Sequence, residues 1–251
     1  MDQTPENWQD RTQLLLGNEN VMRLNRDSIL VVGVGGVGAY AAEMLCRAGI
    51  GHLTIVDGDQ AEATNLNRQL PARVSTLGKY KTEIMAERLL DIHPGLDLTL
   101  RTEYLQNQAI PDLLDSGHFD CVLDAIDTLT PKIQLAAACL ERGIPLVASM
   151  GAGARIDPEK IICADISKTF NCSLAKAYRH GLAKINIRKG IQAVFSTEPP
   201  IRSAVREEIT GPHKRSTVGT ISFMPAVFGC HCAAAVLRIL RNRAVSSEIR
   251  H

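Results

Sequence analysis

Residues 28–45, SILVVGVGGVGAYAAEML, constrain this chain more than any other segment. The apolar run from Ser28 to Val32 reads as a buried strand, and a helix-forming run opens near Gly36. Between them Gly33, Gly35, Gly36 and Gly38 form G-x-G-G-x-G. Glycine lets the main chain turn tightly and approach a ligand closely, so such a turn aims backbone N–H groups and a helix N-terminus at a phosphate. By itself the turn suits a dinucleotide as well as ATP.

The groups that follow separate the two. Asp57 closes a second apolar strand, HLTIVD, 24 residues after Gly33, where an acid can bind ribose hydroxyls; Asp59 is the competing candidate. Asn65, Asn67 and Arg68, in ATNLNRQ, offer amide donors and a guanidinium fork able to grip phosphates and stabilise departing pyrophosphate. Lys81, with Lys79 as its rival, stands near a helix start where a point charge can meet the α phosphate. Asp127 follows the buried strand CVLDAI, at the carboxyl end where α/β sheets bind ligands, and a hard carboxylate there suits Mg²⁺ held with ATP phosphates. Asp124, inside the apolar run, reads as structural. A dinucleotide site needs only the ribose acid, whereas an enzyme that cuts ATP between its α and β phosphates uses the whole set.

Length and charge set the frame. A chain of 251 residues with 45% apolar and 22% charged residues is one large α/β domain, or one with an insertion, and a net charge of +1 points to no partner. The seven cysteines include no C-x-x-C pair, which predicts reduced thiols in a cytoplasmic protein rather than a disulfide framework. The polar start MDQTPENWQDRT is no signal peptide. Residues 221–240 approach membrane-spanning length but contain Pro225, Gly229, His231 and Arg238; they read as a buried helix beginning near Pro225, with Cys230 and Cys232 as core thiols and no membrane insertion.

Helices over 12–25, 79–91, 110–114 and 130–142 alternate with strands near 96–100, CVLDAI and PLVAS. That rhythm predicts an α/β, Rossmann-like, doubly wound and mostly parallel sheet with helices on both faces. After Ser149 it changes. ICADI is a short strand, and 166–197 contain no Asp or Glu but carry Lys168, Lys176, Arg179, His180, Lys184, Arg188 and Lys189. This basic helical and loop insertion suits a phosphate backbone. Residues 196–217 read as a long loop before the C-terminal helix.

GVGGVG, IVDGD, NLNRQ, LGKYK and DAID, in that order over roughly residues 12–150, resemble the ubiquitin-activating-type (ThiF-type) adenylating enzymes, which include bacterial activators of sulfur-carrier proteins. The resemblance implies that a carboxylate attacks the α phosphate of ATP, giving an acyl-adenylate and pyrophosphate, with ATP and Mg²⁺ as cofactors. It places Asp57 on the ribose, Asn65, Arg68 and Lys81 on phosphates and Asp127 on the metal. It also implies a homodimer in which Arg11, on the N-terminal helix, reaches the other subunit's ATP.

SMGAGARIDPEKI, the basic segment, VFSTE and GPHKRSTVGTISFMP are in turn similar to the tRNA threonylcarbamoyladenosine dehydratases. That likeness implies one adenylating domain over 1–251, with 12–150 binding ATP and 151–251 binding substrate and making the dimer. The reaction implied is ATP-dependent dehydration of threonylcarbamoyladenosine in tRNA through an acyl-adenylate of the threonine carboxylate, with a sulfur-transfer protein as a possible partner. Because the attacking nitrogen belongs to the same substrate, effective molarity replaces an enzyme nucleophile. The alternative is adenylation of the C-terminal glycine of a ubiquitin-like sulfur carrier, and a third reading is an NAD-binding oxidoreductase or nucleotide-binding module. The chain lacks the paired C-x-x-C motifs that hold zinc in the carrier activators, and has Ser216, Thr217, Val218 and Gly219 where some relatives have a loop cysteine.

Overall fold

The computed structural model describes residues 8–207 and 216–248. Seven strands, β1 (Ser28–Val32), β2 (His52–Val56), β3 (Asp97–Arg101), β4 (Cys121–Asp124), β5 (Leu146–Ser149), β6 (Ile161–Asp165) and β7 (Gln192–Ser196), form one sheet in the order β3-β2-β1-β4-β5-β7-β6. All neighbours are parallel except β6, which runs antiparallel along β7. A separate antiparallel pair joins β8 (Val205–Glu207) to β9 (Ser216–Val218).

The two-residue period of a strand explains the layers. In β1, Ile29 and Val31 join one core and Leu30 and Val32 the other, so the strand from Ile29 on is buried on both faces and is apolar on both. The first face is covered by α3 (Gly38–Ala48), α4 (Lys81–Ile92) and α8 (Phe223–Glu248), through residues such as Leu45, Met85, Leu89, Phe228 and Val236. The second is covered by α5 (Ala109–Asp115), α6 (Leu129–Glu141) and α7 (Ser173–Lys184), through Leu113, Leu135, Tyr178 and Leu182. Two short helices, α1 (Asp10–Leu16) and α2 (Asn18–Leu24), lead into β1. The doubly wound expectation holds.

Several local expectations change. The helix expected over 12–25 is two helices, because Gly17 adopts φ +84°, which no helix can continue through. The helix after the glycine turn starts at Gly38 rather than near Gly36. The ICADI strand is the antiparallel sheet edge. Of the long loop expected at 196–217, residues 205–207 and 216–218 pair as strands, while 208–215 lie outside the described residues, as do 1–7. The basic helical and loop segment packs into the fold: α7 buries Ala175, Tyr178 and Leu182 in the second core.

The C-terminal helix is long and apolar enough to cross a membrane, but Met224, Phe228, Cys232, Val236 and Leu240 lie in the first core. It begins at Phe223, and at Gly229 it meets α3 so closely that a Cβ would stand 2.6 Å from Val37 O and 2.8 Å from Tyr40 Cβ. Of the two expected core thiols, Cys232 is buried and Cys230 is exposed on the outer side of this helix. All seven cysteines are free, and burial pushes Cys46, Cys121, Cys139 and Cys232 up to about 12, leaving them without nucleophilic thiolate.

One acid at the amino edge of the sheet makes stability depend on pH. Burial, then the nearby Asp120, raises Asp27 to about 6 against the pull of Arg243 and Arg23. The folded state therefore binds this proton more tightly than the unfolded chain, and the charge costs stability above about pH 6, a cost that fades as pH falls toward about 4. Asp27→Asn is expected to stabilise the protein at pH 7 by about 1 kcal/mol, after discounting for its partial exposure. Urea midpoints of variant and wild type should converge near pH 4; an equal gap at both pH values would exclude this assignment.

Candidate active site

The strand order reverses between β1 and β4, and a crevice at the carboxyl ends of such strands is where α/β sheets bind ligands. The glycine loop leaves β1 there, and residues 125–128 leave β4 beside it. Ala125 N donates to Val32 O, and Gly33, at φ +87°, lies so close that a Cβ would stand 2.9 Å from Ala125 O. Helix α3 then starts with no side-chain cap, so its first N–H groups are directed into the crevice. Gly35 faces the Gln69 side chain, and a Cβ on Gly36 would come 3.1 Å from Pro225 of α8 and 3.8 Å from Arg68 Cγ. Arg68 thus stands against the glycine loop although 30 residues separate it from Gly38.

Asp57, just past β2, braces the same loop. Its Oδ2 accepts Val34 N–H and its Oδ1 accepts Asp59 N–H, each at 2.8 Å. Burial raises its carboxyl above the usual range in spite of Lys81 and these bonds. Each oxygen keeps a lone pair for a ribose hydroxyl. Arg68 Nη1 donates to Thr64 O and to Asn67 Oδ1, both at 2.9 Å, and Asn67 Nδ2 donates to Thr220 O ahead of α8. Asn65 is buried, and its Oδ1 accepts Glu62 N–H across a short helical turn. Its amide is partly committed to holding the loop that carries Arg68.

Between the two lysines the structure separates the roles. Lys79 is exposed, whereas Lys81 is buried and its Nζ lies 2.8 Å from Asp59 Oδ2. Asp59, the rival for ribose, is thus the counter-ion of Lys81. Tyr104 donates to its other oxygen, which raises the phenol to about 12. Asp127 is exposed just past β4. Asp124 is structural as expected: fully buried, it faces Lys132 Nζ at 3.0 Å, and Lys132 also donates to Ile126 O at 3.0 Å. Among the described residues no three His, Cys, Asp or Glu side chains gather as metal ligands.

The structure does not bring every predicted residue here. Arg11 is exposed on α1, a helix next to Gln9, which packs on Gly49 at the far end of α3, away from the glycine loop. The basic residues form a stripe that leaves the site. Asn171 Nδ2 donates to Thr197 O at the carboxyl edge, while Ile166 N donates to Ile191 O at the amino edge. Helix α7 therefore descends from one edge to the other, carrying Lys176, Arg179 and Lys184 away from the glycine loop, with Lys168, Arg188 and Lys189 at the lower end. Lys168, Lys176, Lys184, Arg188 and Lys189 are exposed, and Arg179 is half-buried.

Tyr104, Lys132 and Arg155 were not legible as site residues. Arg155 is buried, and its guanidinium donates to Gly151 O, Gly153 O and Asn171 O, tying the loop after β5 to the turn before α7. Tyr104 meets Asp59 across 45 residues and Arg155 meets Asn171 O across 16, whereas Lys132 acts on Ile126 O and Asp124 nearby in the chain. The turn-rich composition of MGAGAR was the only available signal.

The ThiF family model matches residues 10–250. The chain belongs to the ThiF family. This ThiF-family protein is 39% identical over 226 residues to the tRNA threonylcarbamoyladenosine dehydratase of Bacillus subtilis (strain 168), covering 87% of this chain and 89% of that one. To the dehydratase of Escherichia coli (strain K12) it is 35% identical over 258 residues, with 94% and 96% covered. Among solved structures it superposes on the E. coli tRNA N6-threonylcarbamoyladenosine dehydratase in complex with ATP with a TM-score of 0.86, at 33% identity and with 96% and 98% covered.

Proposed function

We propose that this ThiF-family protein is an ATP-dependent tRNA threonylcarbamoyladenosine dehydratase. The observation that carries the reading is the convergence on one crevice of the glycine loop, Asp57, Arg68, the Lys81–Asp59 pair and Asp127. The substrate is carried by relatives of that activity that align along about nine-tenths of both chains.

The residues fit ATP. Gly35 and Gly36 keep the loop free of side chains of its own, and the uncapped start of α3 supplies donors. When bound, ATP converts a carboxylate, a poor electrophile, into an acyl-adenylate with a good leaving group. Around it Asp57 holds ribose hydroxyls, and Asn65 and Asn67 set the loop from which Arg68 reaches the outgoing pyrophosphate. Lys81 meets the phosphates, which compete with Asp59 for its ammonium. A single carboxylate, Asp127, suits Mg²⁺, an ion bound by one or two protein oxygens together with phosphates.

The same reading includes a homodimer, a possible sulfur-transfer partner and a cytoplasmic location. In favour of the dimer, Leu14 and Leu15 on α1 are 87% and 82% exposed beside Arg11, an apolar pair that a second copy would cover while bringing that arginine to its neighbour.

The test is mass spectrometry of nucleosides from threonylcarbamoyladenosine-bearing tRNA after incubation with the protein, ATP and Mg²⁺. The expected result is an ATP-dependent loss of about 18 mass units, one water by elemental arithmetic. An unchanged nucleoside, with pyrophosphate exchange stimulated instead by a ubiquitin-like carrier, would overturn it.

A further inference from the structure

The lower end of the basic stripe is not a flat charged surface. Ser167 and Ile166, at the end of β6, face the last turns of α7 and the 185–190 loop across a cavity of about 420 Å³. Lys176, Arg179, His180 and Arg188 all line it, over a floor that includes Ile166, Leu182 and Ile187. Lys176, Arg179 and Arg188, three permanent cations around one cavity, repel one another, and water or an anion offsets that repulsion.

Arg179 is held in place. Its Nη1 donates to Thr169 Oγ1, which donates in turn to Ile166 O, so the guanidinium is oriented before any ligand arrives. Asp165, beside the cavity, is occupied by local donors: it accepts from Ser167 N, Ser167 Oγ and Gly190 N, which shapes the loop. The cavity thus combines a pre-oriented planar cation, two flexible ones and an apolar floor, a set suited to a phosphodiester with its attached sugar.

Its position identifies the source of that phosphate. Asp165 pairs with Gln192, the first residue of β7, whereas the glycine loop and Asp127 lie beyond the opposite ends of the parallel strands. A five-residue strand spans about 17 Å. No mononucleotide reaches both edges, but an RNA arm does.

We propose that this cavity seats a backbone phosphate of the tRNA, a second anchor on the edge of the sheet opposite the nucleotide crevice. The proposal rests on the reading that tRNA is the substrate. It makes substrate recognition bipartite: the crevice takes the nucleoside to be activated, and the cavity fixes how the arm lies along α7.

The test compares the full-length wild type with a Lys176→Ala/Arg188→Ala double variant, both positions being exposed, in tRNA binding across a salt series. Expected are an affinity loss of about 10-fold and a log–log salt slope shallower by about 2, one for each lost phosphate contact, with ATP affinity unmoved. The charge-preserving Lys176→Arg/Arg188→Lys pair should restore the slope. An unchanged slope and affinity would overturn the proposal. So would tight binding of inorganic phosphate at the cavity with tRNA affinity untouched in the variant, which would make this a small-anion site. If the wild type leaves the modified nucleoside intact while the double variant still loses tRNA affinity, the anchor stands and the dehydratase reading falls.

Discussion

Arg68→Ala is expected to lower ATP-dependent turnover by about 10²–10³-fold while leaving the unfolding free energy within about 0.5 kcal/mol of wild type. The asymmetry follows from position. The Arg68 side chain is only half-buried, and its bonds to Thr64 O and Asn67 Oδ1 order a surface loop without filling the core. Its guanidinium nevertheless stands against the glycine loop, where negative charge builds up as pyrophosphate leaves. Arg68→Lys should recover only part of the rate, because an ammonium keeps the charge but loses the planar fork and cannot both brace Asn67 and grip two oxygens. Single-turnover rates with saturating ATP separate this from a simple affinity loss. Wild-type turnover by the alanine variant would remove Arg68 from the mechanism.

Lys132→Met should have the opposite profile, with a stability loss of about 3–5 kcal/mol. Lys132 and Asp124 are both fully buried, Nζ lies 3.0 Å from Asp124 Oδ2, and the Tyr178 ring centroid is 5.7 Å from the ammonium. Burial already holds the Asp124 carboxyl above its ordinary range, with Lys132 as the main opposing influence. Without the lysine, the folded state must either keep an unpaired buried carboxylate or protonate it.

The folded-state pKa of Asp124 in the variant then rises further above that of the unfolded chain. The stability deficit is therefore largest where the carboxyl is ionised and shrinks as falling pH protonates it in both folded proteins. Asp124→Asn combined with Lys132→Met removes the orphaned charge and should regain more than half of the loss. Urea unfolding of the three proteins at pH 7 and pH 5 checks this, and a double variant no more stable than Lys132→Met would refute the electrostatic account. Activity should also fall in the single variant, since Lys132 donates to Ile126 O and so tethers the loop that ends in Asp127.

The sequence by itself determined what depends on neighbours in the chain. Ile29–Val32 had to be buried on both faces of the sheet because it is apolar at every position, and Gly33 to Gly38 had to be a turn into a helix. Asp57 and Asp127 could be placed together from the sequence because each follows a strand end, and strand ends of a parallel sheet share one edge; Arg68 and Lys81 lie on the long connection from β2 to α4, whose path the sequence does not give.

Only the tertiary structure decided what depends on partners far along the chain. Asp59 neutralises Lys81 across 22 residues, Asp57 braces Val34, and Thr220 holds Asn67 across 153 residues. The antiparallel edge strand β6, the outward turn of Cys230 and the descent of the basic stripe to the opposite edge belong to the same class. Local spacing sets backbone conformation, whereas the pairing of charges and the edge to which a helix carries them are set by how separate elements pack, and packing is a property of the folded chain as a whole.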